Sequence, residues 1–195
     1  TWMIVGFDME HKQVAADGTV YDNGYGIFMI PTKSLFYNQE LFHFNNGYIG
    51  TGAHRMLNID DNCTADILMQ QAALSNHLVK RNVLLSNGFD NSTYNVSGYE
   101  WTTAYCTLMS AGQITGIFGE NSTKYDDGEA NYKLPYFNYS TWQYEDAWLR
   151  GLGGNAYRAN HYYDKPWYVS SGSEMKCDTI HGNVSKGIYP LIMIR

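Results

Sequence analysis

Residues 153–172, GGNAYRANHYYDKPWYVSSG, set the tightest limit on what this chain can fold into. Their aliphatic side chains are only Ala156, Ala159 and Val169, yet they carry Tyr157, Tyr162, Tyr163, Trp167 and Tyr168. Such a stretch lacks the apolar pattern with which a strand or a helix packs. Glycines open and close it, and the hydrophobic run GIYPLIMIR follows at 187–195. The rest of the chain must therefore supply a framework that holds these rings.

The chain has enough material for that framework. At 195 residues it reads as one domain, 1–195, able to bury roughly 70% of its unfolded surface without metal or disulfide support. Aromatic residues make up 15% and charged residues only 16%, with 17 Tyr and 19 Gly, which describes a loop-rich globular domain. A net charge of −6 and scattered Lys and Arg argue against a nucleic-acid partner, because phosphate binding needs clustered cations. No apolar run approaches the roughly 20 residues that span a bilayer, so membrane insertion is not expected. Thr1 reads as a processed end or a boundary, since neither an initiating Met nor a signal-peptide pattern precedes it. Cys63, Cys106 and Cys177 form no metal-type cluster; they read as small buried hydrophobes, with one disulfide plus a free thiol as the alternative. Sequons begin at Asn62, Asn91, Asn95, Asn121, Asn138 and Asn183, a number that an Asn-, Ser- and Thr-rich chain generates by chance.

Along the chain, TWMIVGFD predicts an opening strand with Trp2, Ile4 and Phe7 inward. Turn chemistry at Asp17-Gly18, flanked by Val14 and Val20, predicts a hairpin. YGIFMIP predicts a buried strand stopped by Pro31. Asp60, Asp61 and Asp66 at one end and His77, Lys80 and Arg81 at the other predict a helix over 61–81, with Ile67, Leu68, Ala72, Leu74 and Leu78 on its apolar face. The capping-box spacing of Ser97 and Glu100 predicts a shorter helix over 98–109. DAWLRG and GIYPLIMIR are the most strand-like pieces beyond 112, the latter bent at Gly187 and Pro190. Strands, two helices and a loop-rich β half define an α+β fold whose last strand returns beside the first, with the termini close together.

Three of these pieces carry a resemblance. AWLRG at 147–151, GIYPLIMI at 187–194 and WMIVGF at 2–7 are similar to a W-L-R-S motif, a later G-V-R-P strand and an opening W-x-I-x-G-F strand. That set resembles an uncharacterised domain family of gut-bacterial surface proteins and their phages. The family looks related to C-type-lectin-like folds, including retroelement-diversified variable proteins and the formylglycine-generating enzymes. The resemblance implies a C-type-lectin-like fold with antiparallel sheets and two helices. It also implies a binding surface on the loops between the W-L-R strand and the C-terminal strand. Gly151 stands where the family has Ser, and Ile188-Tyr189 where it has Val-Arg, which removes a charge partner. The calcium–sugar motifs of C-type lectins and the paired cysteines of the formylglycine-generating enzymes are absent. Adenine-directed change of Asn codons reaches Asn, Asp, His, Tyr and Ser, and ten of the twenty residues over 153–172 belong to that set.

The residues themselves point the same way. Tyr and Trp give large contact area for few rotatable bonds, while Ser, Gly and Asn adapt their hydrogen bonds, as in antibody paratopes. The expected ligand-binding residues are Asn155, Tyr157, Arg158, Asn160, His161, Tyr162, Tyr163, Asp164, Trp167 and Tyr168, with contributions from 136–144. Of the five aromatics, two or three are expected to be exposed and Trp167 to be structural. Trp148 and Leu149 are expected on opposite faces of a strand, with Arg150 satisfying loop carbonyls or an acid. Glu145 and Asp146 read as a turn rather than a catalytic pair. No metal, cofactor or enzymatic activity is expected. The partner would be a protein or glycan on a cell surface, met by an extracellular, virion-borne or bacterial-surface domain in a homotrimer or other homo-oligomer. The alternatives are a structural part of a virion or surface assembly, and a carbohydrate-active enzyme.

Overall fold

The computed structural model describes residues 1–9, 11–15, 17–38, 48–90, 95–116, 133–152, 166–177 and 186–195. Within them the architecture is α+β, built mostly from antiparallel strands, with three α-helices. A four-stranded sheet runs in the order β1 (Trp2–Phe7), β4 (Ile27–Pro31), β13 (Leu191–Ile194) and β8 (Cys106–Thr107). A five-stranded sheet runs β11 (Met175–Cys177), β10 (Pro166–Val169), β9 (Ala147–Leu152), β12 (Lys186–Ile188) and β5 (Phe36–Asn38). Two hairpins stand apart in pairing, β2 (Lys12–Val14) with β3 (Val20–Asp22), and β6 (Arg81–Asp90) with β7 (Asn95–Ala104). No helix among the described residues is long and apolar enough to cross a membrane.

The last strand joins the sheet of the first, but its neighbour is β4 rather than β1. GIYPLIMIR is also not one bent strand. Tyr189 and Pro190 separate β12, in the five-stranded sheet, from β13, in the four-stranded one. Alternation then feeds two separate cores. Ile188 and Ile192 enter one cluster with Trp148, Leu68, Val83 and Leu108, whereas Tyr189, Leu191 and Met193 enter another with Val5, Phe28, Leu149 and Val169.

Several sequence expectations are corrected. In β1 it is Val5 that is fully buried, while Ile4 and Phe7 are 42% and 47% exposed and Trp2 is half-buried. A register shift between Ile4 and Gly6 turns Phe7 outward, where it meets Tyr136 edge-on. The predicted helix over 61–81 is only α2 (Thr64–Met69). Tertiary pairing overrides local propensity here: Leu78 bridges Ile194, and Val79 donates its N–H to the Met193 carbonyl. The predicted helix over 98–109 is strand instead: β7 pairs with β6 from Arg81–Ala104 to Asp90–Asn95, with register shifts around Gly88, and β8 pairs with β13. Val96, Tyr99, Trp101, Thr102 and Thr103 are residues that favour a pleated sheet. Residues 166–169, within the stretch read as neither strand nor helix, form β10, with its proline at the first position where no ladder donor is missed.

Two helices had not been predicted. In α1 (Gly52–Asn58) Thr51 Oγ1 accepts from His54 N at 3.2 Å and donates to the Tyr48 carbonyl at 2.7 Å. In α3 (Ala111–Thr115) Ser110 and Gln113 form a reciprocal capping box, and Gly116 closes the helix at φ +74°. The Asp17-Gly18 hairpin forms as predicted, with Gly18 at φ +85°. Cys63 and Cys106 are buried free thiols, and burial pushes the Cys106 thiol up to about 12.

Candidate functional site

β9 and β10 are antiparallel neighbours, with Leu152 opposite Pro166, Trp148 opposite Tyr168 and Ala147 opposite Val169. The connection between them, 153–165, therefore leaves and re-enters the sheet at paired positions. β11, paired with β10, places Cys177 opposite Trp167, so the next connection also leaves from this end of the sheet. Asn155, Tyr157, Arg158, Asn160, His161, Tyr162, Tyr163 and Asp164 lie outside the described residues, as does the side chain of Trp167.

What holds the two strand ends is well defined. Trp148 and Leu149 are buried on opposite faces of β9, as their alternation predicts. Arg150, also buried, donates from Nη1 to the Leu108 carbonyl at 2.6 Å and to Thr107 Oγ1 at 3.2 Å. Its backbone N–H donates to the Met109 carbonyl at 3.1 Å, tying β9 to the chain before α3. Thr107 Oγ1 also accepts from Nη2 of the buried Arg81 at 2.9 Å.

Tyr168 belongs to this frame rather than to a contact surface. It is only 9% exposed, its ring meets Trp148 edge-on at 6.0 Å, and Lys186 Nζ lies 3.7 Å from its ring centroid. Cation–π attraction of this kind strengthens as water is excluded. Lys186 also reaches Asp146 Oδ2 at 3.4 Å.

Glu145 and Asp146 act as ties at the entrance to β9. Asp146 Oδ1 accepts from Ser171 N at 2.8 Å, and its carbonyl accepts from Gly187 N at 2.8 Å. Glu145 Oε1 accepts from the Tyr189 hydroxyl at 2.8 Å and from Ser34 N at 3.2 Å. Burial, and then the Glu145 carboxylate, hold the Tyr189 hydroxyl well above the ordinary tyrosine range. A neutral phenol thus donates to the acid. Neither carboxylate faces the other across a cleft; each is committed to a different strand connection.

The 136–144 stretch divides. Tyr136 and Tyr144 are exposed, whereas Phe137 and Trp142 are buried, and the Trp142 ring packs against Phe137, Tyr144 and Tyr189. Tyr144, Glu145 and Tyr189 face Thr32, Lys33 and Ser34 across a shallow hollow of about 400 Å³. No motif marked residues 32–34 or Lys186, because their positions follow from the β12–β5 and β12–β9 pairings alone. Among the described residues no three His, Cys, Asp or Glu side chains come together in a group that could hold a metal ion. No protein-family model, curated protein or solved structure matches this chain.

Proposed function

We propose that the chain is a ligand-recognition domain of C-type-lectin-like type, displayed on a virion or a bacterial surface. Its Tyr- and Asn-rich 153–165 connection would contact a protein or glycan on a target cell. The observation that carries this reading is the contrast between that connection and its mounting. Thirteen residues rich in rings and adaptable polar groups are held at Leu152 and Pro166, register partners in a strand pair whose Trp148, Leu149, Arg150 and Tyr168 are buried. A rigid mounting lowers the ordering cost of binding, which is where preformed recognition surfaces gain affinity. Recognition then needs contact alone, without a chemical step or cofactor. Display in a homotrimer or another homo-oligomer would raise weak single-site affinity through avidity.

The test replaces Tyr157, Tyr162 and Tyr163 together by Ala and measures retention on a panel of bacterial cells and immobilised glycans beside the melting temperature. Binding should fall by at least about tenfold, the loss of one modest anchor, with the melting temperature nearly unchanged. A large drop in melting temperature, or loss of an oligomer, would instead assign the rings to packing or assembly.

A further inference from the structure

We infer a second, small-molecule site in a half-open cleft of about 510 Å³ where the 31–36 segment faces α2 and the start of β1. The site goes beyond the proposed recognition surface and shares none of its residues. Its size falls within the range of small-ligand pockets.

The lining fixes the chemical class. Trp2, Leu35, Phe36 and Ile67 give the cleft aromatic and aliphatic walls, with Leu35 and Ile67 each 41% exposed. These surfaces favour an apolar body, while Thr32, Ser34 and Gln71 add polar groups to the lining. Lys33, exposed, is the one charged side chain in the lining. Thr64 also lines the cleft; it is 1% exposed, and its Oγ1 is buried without a hydrogen-bond partner. Buried hydroxyls are normally paired, and an orphan one is costly to keep. A wholly apolar occupant would leave both groups unused. The occupant that fits is a small amphipathic carboxylate, with its ring or alkyl body against Trp2 and Phe36. Its acid group would meet both Lys33 and the Thr64 hydroxyl.

Indole-3-acetate and its neutral amide, indole-3-acetamide, are suitable probes, followed by calorimetry and saturation-transfer NMR on the full chain. The acid should bind at about 1 mM or tighter, as expected for a ligand of this size, and more tightly than the amide. Lys33→Gln should weaken the preference for the acid. Thr64→Val, which keeps the shape, should weaken the acid by about tenfold, the loss of one hydrogen bond. Ile67→Trp, at an exposed position of the lining, should fill the cleft and abolish binding while the circular dichroism spectrum is retained. Absence of binding to the wild-type chain, or equal binding of acid and amide, would overturn the proposal. So would binding that survives Ile67→Trp. Because Tyr157, Tyr162 and Tyr163 take no part, their triple Ala variant should bind the acid normally, which separates failure of this site from failure of the recognition surface.

Discussion

Single side chains in this protein are placed by burial as much as by pairing, and His54 shows what that means for acid sensitivity. It sits buried in α1, where its Nδ1 accepts the Gly50 N–H at 3.1 Å, and desolvation holds it below the ordinary histidine range. Protonation is therefore easier in the unfolded chain, whose value lies near 6.5. Stability contributed by the neutral ring is complete above that value and is lost as pH falls toward the lower folded value. Urea titrations at about pH 7.5 and about pH 5.5 should show wild-type stability falling with pH, and His54→Gln should flatten that fall. An unchanged slope would place the acid sensitivity elsewhere. Tyr189 gives a second residue-scale prediction. Tyr189→Phe removes a hydroxyl bonded to the Glu145 carboxylate, leaving Ser34 N as a remaining donor. It should cost about 1.5–3 kcal/mol in a denaturant titration, the range for a bond to a charged group.

At the scale of elements, strand positions that meet two neighbours at once tolerate least. Gly187 in β12 lies opposite Tyr37 in β5 and Ala147 in β9. A Cβ added there would sit 2.8 Å from both Ser34 Cβ and Tyr189 Cε2, and 3.1 Å from Glu145 Oε1. Gly187→Ala should destabilise by about 1–3 kcal/mol, as overpacking does, and a neutral result by thermal unfolding would refute the close approach. The same scale separates what could be read in advance from what could not. β1, β4, the Asp17-Gly18 hairpin and β9 were legible because their alternation or turn chemistry is local. The phase of β1 was not, because a bulge reverses which residues face in, and no residue type announces that. The helix expected over 61–81 had good terminal charges, but pairing of 78–79 with β13 is a long-range choice invisible in a local window. Ser110 and Gln113 carry a capping signal that is legible locally, as does Thr51. For the candidate site, the mounting strand and the opposite faces of Trp148 and Leu149 were legible. The burial of Tyr168 was not, since it depends on Lys186 arriving from a distant strand.

Across the whole molecule, β9 divides the interior. Trp148 packs into one buried cluster and Leu149 into the other, although they are neighbours in sequence. Trp148→Ala should cost about 3–5 kcal/mol and Leu149→Ala about 2–5 kcal/mol, the usual range for large-to-small core changes. Because they face separate clusters, the double variant should equal the sum of the two within about 0.5 kcal/mol. A coupling energy well above that, measured by a double-variant cycle in urea, would mean that the clusters respond as one body.

The corner at Tyr189 and Pro190 has a consequence for synthesis. Residues 186–188 lie between β9 and β5, and residues 191–194 between β4 and β8, so one short segment fills an interior place in both sheets. The strands that flank these places, β5 and β9 in one sheet and β4 and β8 in the other, are all synthesised before the segment that joins them. Earlier strands emerge with their edges uncovered, a state open to wrong partners. Maturation of the domain should thus be late and abrupt, with nascent chains lacking 186–194 remaining sensitive to protease until that segment clears the exit tunnel.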